Sequence, residues 1–166
     1  MAHPQRIEPG PGQESVWDYP RPPRLEPTTA LIRVVHGGRV VAETGRALRV
    51  LETSQPPGIY IPPTDVDLTL LRPSPQHTFC EWKGSASYHH LVVPGAEPVV
   101  DACWSYEHPT DAFHPIAGYL AFYPQRVDAC FVDEEQVQAN EGSFYGGWIT
   151  SSIVGPFKGG AGTWGW

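Results

Sequence analysis

The chain has 166 residues and a net charge of −7, and its 11 basic residues are scattered, which argues against a nucleic acid as partner. Its 17 glycines and 19 prolines favour turns and short strands over long helices. It lacks a membrane-length apolar run, a secretion signal and a disulfide pattern among its three cysteines, so we expect a cytoplasmic protein with no membrane partner.

The first 30 residues are rich in proline and are predicted to form an extended arm. The stretch Val16-Trp17-Asp18-Tyr19-Pro20 is too aromatic for a free tail, so we expect it to pack on the body of the protein. A floppy arm is the alternative. The arm over residues 14–27 could also dock on a second subunit, which predicts a homodimer.

Short strands account for most of residues 31–132. A Gly37-Gly38 pair between β-branched runs predicts a two-residue hairpin joining strands 31–36 and 39–44, because glycine tolerates positive φ at both turn positions. Further strands are predicted at 47–52, 58–61, 68–71, 77–82, 85–93, 99–106, 119–123 and 127–132. This spacing indicates a mostly β fold built from antiparallel strands.

Few segments have a helical pattern, and the best candidate is the short stretch 133–139. Residues 31–140 are predicted to form one domain. The tail 141–166 is rich in glycine and aromatic residues, and we expect it to wrap over that domain as irregular backbone.

A family resemblance rests on several motifs in one order. They are His36–Thr44, Val50–Thr53, Tyr60-Ile61-Pro62-Pro63-x-Asp65-Val66, Cys80-x-x-Lys83-Gly84-x-Ala86-x-Tyr88, Trp104-Ser105-Tyr106 and Ile116–Pro124. Through most of residues 31–132 the chain resembles the bacterial and fungal "domain of unknown function 427" family. A nucleotidyltransferase label that some naming gives the family gains no support from these motifs.

The resemblance implies a fold of the β-tent, or Mss4-like, type, in which two antiparallel sheets meet at an angle. Many such tents are pinned by a zinc ion held by two Cys-x-x-Cys pairs. This sequence contains no Cys-x-x-Cys, so we expect the zinc knuckles to be absent. We expect no other metal and no cofactor.

Aromatic residues recur on the predicted strands, and Trp104 and Tyr106 share one strand face. Indole and phenol walls with a few polar groups suit a small planar or cationic ligand. The predicted ligand-binding residues are Trp104, Tyr106, Trp82, Tyr60, Tyr88 and Tyr123. Core packing is the alternative interpretation of each of these rings.

Four polar residues are candidates for catalysis. Cys80 and Lys83 lie on opposite strand faces unless the chain bends between them, which Gly84 permits. A lysine beside a cysteine favours the reactive thiolate. Glu52 would point inward at the end of its strand and would need a partner there. His77 is a further candidate base.

Three classes of function remain open at this point. The preferred one is the binding of a small organic ligand in an aromatic-lined cleft. The second is an enzyme acting on a carbonyl, imide or ester, with Cys80 or Lys83 as nucleophile and Glu52 or His77 as base. The third is a structural or protein-interaction module.

Overall fold

In the computed structural model, which describes residues 4–166, the chain forms short strands joined by turns and single turns of helix. The strands are β1 (Glu14–Ser15), β2 (Arg24–Pro27), β3 (Ile32–His36), β4 (Arg39–Thr44), β5 (Leu48–Leu51), β6 (Gly58–Tyr60), β7 (Leu71–Cys80), β8 (Gly84–Leu91), β9 (Val99–Ser105), β10 (Ala121–Phe122), β11 (Ala129–Val132), β12 (Glu135–Gln136), β13 (Gln138–Ala139), β14 (Trp148–Ile149) and β15 (Ile153–Val154). Helices of the 3₁₀ type span Val16–Asp18, Pro63–Asp65, Leu68–Leu70 and Asp111–Ile116.

The strands assemble into several sheets. Two four-stranded sheets have the orders β10-β9-β8-β7 and β12-β11-β3-β4, and a three-stranded sheet has the order β2-β5-β6. Two further pairs are β13-β14, which is antiparallel, and β1-β15, which is parallel. The mostly β, mainly antiparallel architecture predicted from the sequence is confirmed.

The hairpin between β3 and β4 has the predicted turn. Gly37 and Gly38 have φ angles of 57° and 75°, and His36 pairs with Arg39 across them. A side chain at Gly37 would also meet Val93, because a Cβ there would lie 2.9 Å from the Val93 Cγ1 atom. The two-residue turn therefore fixes the register of this hairpin.

Two local predictions are wrong. The helix predicted at 133–139 is a tight turn and two short strands. Asp133 and Glu134 take positive φ angles of 46° and 71°, which returns the chain so that β12 pairs with β11, and β13 then pairs with β14. The strand predicted at 68–71 begins only at Leu71. Asp67 accepts a hydrogen bond from the Thr69 N–H at 3.2 Å, which starts a 3₁₀ turn over Leu68–Leu70, immediately before the strand.

The arm packs on the body of the protein, as predicted for residues 16–20. Val16 and Tyr19 are buried in a cluster with Leu51 of β5 and Ile153 of β15. Residues 24–27, which also lie in the predicted arm, form β2 and pair with β5. These contacts are made within one chain, and the homodimer remains a prediction.

The two larger clusters of buried side chains differ in character. One is mainly aliphatic and is closed on the tail side by Trp148 of β14, whose Nε1–H donates to the Phe122 carbonyl at 3.0 Å. The other is aromatic and gathers all six rings predicted to bind a ligand, together with Cys80. No helix in residues 4–166 is long and apolar enough to cross a membrane.

Candidate functional site

The aromatic cluster opens into a cavity of about 550 Å³, within the range of small-molecule sites. The six predicted ligand-binding aromatics line it, and so do Cys80, Lys83 and Glu52. His77 does not. It is exposed on β7, where it pairs with Ser87, so the structure brings together three of the four predicted catalytic residues. We call this space the aromatic cavity.

A hairpin turn brings Cys80 and Lys83 to the same cavity. Cys80 ends β7 and pairs with Gly84, the first residue of β8, so residues 81–83 form the loop between them. Gly84 has a φ of 102°, a conformation that other residues rarely adopt. The bend that the sequence argument required between Cys80 and Lys83 is therefore present.

Lys83 is buried, with 8% of its surface exposed. Its Nζ lies 5.7 Å from the centre of the Tyr106 ring and 5.9 Å from that of Phe113, so aromatic faces surround the ammonium group. Burial is the largest influence on the Lys83 pKa and lowers it, but interactions with Tyr60, Cys80 and Glu52 outweigh burial and raise the pKa above its usual value. Lys83 is therefore a cation at neutral pH, which makes it a poor nucleophile and a good anchor for negative charge.

Glu52 reaches the aromatic cavity from the residue after β5, and its side chain is only 16% exposed. Its carboxylate lies 3.3 Å from the Arg21 guanidinium, which also donates to the Thr53 carbonyl at 2.9 Å. The partner that the sequence argument required for an inward Glu52 is therefore an arginine of the N-terminal arm.

Trp104 and the two tyrosine rings that it contacts form one wall of the cavity. The Trp104 Nε1–H donates to the Tyr60 hydroxyl at 3.1 Å, with the two rings edge to face. The Trp104 ring also lies 4.6 Å from the Tyr123 ring, measured between centroids. Burial raises the pKa of Tyr60, so its hydroxyl stays protonated and keeps a proton to donate.

A second set of hydroxyls lines the wall behind Tyr123. The Tyr123 hydroxyl donates to that of Tyr88 at 3.4 Å, and the Thr78 hydroxyl lies 3.1 Å from the same Tyr88 oxygen. Burial raises the pKa of both Tyr123 and Tyr106. The wall therefore offers neutral hydrogen-bonding groups across the physiological pH range.

The C-terminal tail supplies part of the cavity that the sequence argument missed. The tail residues are Phe144, Tyr145, Gly146, Gly147, Lys158 and Trp164. A Cβ at Gly146 would lie only 2.6 Å from the Trp104 ring and 2.9 Å from that of Tyr123, so the backbone packs directly on both. The many aromatic and glycine residues of the tail indicated that it packs on the domain, but they did not indicate which surface it contacts.

Lys158 is a second cation at the aromatic cavity and is partly exposed. Its Nζ lies 5.6 Å from the Tyr145 ring centre and 5.8 Å from that of Trp164. Burial is the main cause that lowers its pKa, and the charge of Arg21 adds to this effect. Lys158 is thus held among tail aromatics, whereas Lys83 lies deeper in the wall.

Comparison with known proteins gives a family but no activity. A family model described as a domain of unknown function, DUF427, matches residues 24–133, which span β2 to β11. A search of curated proteins found no match. In the part of the chain that the structure describes, no group of three or more His, Cys, Asp or Glu residues is arranged to hold a metal ion. Because the family model covers more than half of its length, the chain belongs to the DUF427 family.

Proposed function

We propose that this protein binds a small organic ligand with a planar body in the aromatic cavity. The single observation that supports this most strongly is the gathering of six aromatic residues around an open space of about 550 Å³. Closely packed aromatic cores leave few voids larger than a water molecule. Here the rings leave room for an organic molecule.

The chemistry of the walls favours a planar ligand. The rings of Trp104 and Tyr123 can contact the faces or edges of a flat molecule, and such aromatic pairs contribute about 0.5–1.5 kcal/mol beyond the burial of area. Tyr60, Tyr88 and Lys83 provide a small number of polar groups that would fix the orientation of the ligand.

The test is isothermal titration calorimetry with two neutral planar probes, indole and 2-naphthamide. Wild-type protein should bind at least one of them, and Trp104→Ala should abolish that binding while unfolding cooperatively. Trp17→Ala is the matched control, because Trp17 packs on the Trp166 ring outside the cavity. Unchanged affinity in Trp104→Ala, or failure of the wild type to bind any planar probe, neutral or charged, at millimolar concentration, would refute the proposal.

A second candidate, an enzyme acting on a carbonyl or ester, is supported by the position of Cys80 beside Lys83. Cys80 would be the nucleophile and Glu52 the base within the same cavity, with the Lys83 cation beside them. Incubation with p-nitrophenyl acetate should then release p-nitrophenol in a burst and leave an acetyl group on Cys80. Absence of the burst in wild type, or an equal burst in Cys80→Ser, would exclude this mechanism.

A further inference from the structure

Lys83 stands out among the charged side chains of the protein. It is the one Lys, Arg, Asp or Glu among residues 4–166 that is buried, at 8% exposed. Among the same residues, Lys83 forms no ion pair closer than 4.0 Å, whereas Glu52 pairs with Arg21. Its ammonium faces the rings of Tyr106 and Phe113 and interacts with the side chain of Cys80.

A buried cation without a carboxylate is costly, because neither water nor an opposite charge balances it fully. The faces of Tyr106 and Phe113 offset part of that cost. Lys83 also lines the aromatic cavity, so a full ion pair with it can form from the cavity side, whereas the Glu52 carboxylate is paired with Arg21. An anion that enters the cavity would complete the pair.

We propose that the ligand carries one anionic group, of the aromatic carboxylate class, which pairs with Lys83 while its planar body lies against the rings. This inference rests on the proposed function and specifies the ligand of that same cavity. The Tyr60 hydroxyl already accepts a hydrogen bond from Trp104, so its own proton is available to the second carboxylate oxygen. One buried cation suits a single negative charge better than a phosphate dianion, which usually needs several strong donors. A cationic ligand would meet repulsion from Lys83.

The experiment compares three molecules of the same shape on wild-type protein by calorimetry: 2-naphthoate, neutral 2-naphthamide and cationic 2-naphthylmethylammonium. Hydrogen bonds to charged groups predict that 2-naphthoate binds about tenfold to a hundredfold more tightly than the amide. The cation should bind most weakly. Because this comparison needs no variant, it tests the proposal even if a substitution at Lys83 prevents folding.

Two variants locate the effect. Lys83→Met should remove the preference for 2-naphthoate and leave amide binding almost unchanged. Lys158→Met is the matched control, because this second cavity lysine is partly exposed, and it should keep most of the preference.

The outcomes separate this inference from the proposed function. Equal binding of carboxylate and amide to wild type, or a preference that survives in Lys83→Met, would overturn the inference and leave the planar-ligand site intact. Failure of all three probes to bind would overturn both proposals.

Discussion

The contact between Gly146 and Trp104 gives a sharp test of how the tail closes the aromatic cavity. In Gly146→Ala, the new methyl group would lie 2.6 Å from Trp104 Cη2, 2.8 Å from Cζ3 and 2.9 Å from Tyr123 Cδ1. The indole cannot simply rotate away, because its Nε1–H donates to the Tyr60 hydroxyl. The ring must therefore move into the cavity or the tail must lift.

Overpacking of this kind costs roughly 1–3 kcal/mol. Because the cavity offers the indole some room, we expect a loss of about 1–2 kcal/mol in the free energy of unfolding. For a chain of this length, that loss lowers the melting temperature by roughly 2–8 °C. Urea denaturation followed by far-ultraviolet circular dichroism measures the free energy, and calorimetric titration should show weaker binding of 2-naphthamide.

Gly45→Ala is the control for the backbone effect of the same substitution. No atom lies within 4 Å of a Cβ built at Gly45, and this residue does not have a positive φ. We expect no loss of stability there. If Gly146→Ala unfolds at the same urea concentration as Gly45→Ala, the tail does not pack on Trp104 and the proposed wall of the cavity is wrong.

Three further predictions concern other groups. Iodoacetamide should modify one thiol of the native protein, Cys80, because the other two cysteines are buried; peptide mapping identifies the site. Burial lowers the pKa of His89, so the unfolded chain binds a proton at this residue before the folded chain does, and the protein loses stability as the pH falls below about 6.5. His89→Gln should reduce that loss. Urea midpoints at about pH 7.5 and about pH 5.5 measure it. Arg126→Met should free the tail at Ser143, whose carbonyl accepts a hydrogen bond from Arg126 at 3.0 Å, and should speed limited proteolysis there.

Each of these predictions has a clear contrary result. Modification of either buried cysteine in native protein would mean that the body of the fold opens readily. An unchanged pH dependence in His89→Gln would show that other groups govern the acid sensitivity. Proteolysis of Arg126→Met at the wild-type rate would show that the contact with Ser143 does not hold the tail.

Local features of the fold could be predicted because their cause lies within a few residues. The Gly37-Gly38 turn needs only two residues that accept positive φ, and both are present. The helix predicted at 133–139 was wrong because the backbone turns at Asp133 and Glu134 and then pairs with β11 and β14, and these pairings leave no helical pattern in the sequence. Asp133 and Glu134 take positive φ, which is uncommon for residues other than glycine, although aspartate adopts it more often than most.

The part of the site that lies on strands could be predicted, because side chains along a strand alternate regularly between its two faces. Trp104 and Tyr106 share a face two residues apart, and the aromatic motifs identified the wall. The part of the cavity wall that the C-terminal tail forms could not be predicted, because Gly146 lies 42 positions after Trp104 and no local pattern links them. Nor could the sequence show that Arg21 of the arm pairs with Glu52.

The most direct test of the central claim is a titration of ¹⁵N-labelled protein with 2-naphthoate, followed through the indole N–H signals of its six tryptophans. Substitution of Trp104 by phenylalanine assigns its signal, whose N–H is bonded to Tyr60 in the free protein. Our account predicts that the Trp104 signal shifts in a saturable way, while that of Trp148, buried in the aliphatic cluster, stays in place. A saturable shift that leaves the Trp104 signal unmoved, or no shift at all, would contradict a ligand site in the aromatic cavity.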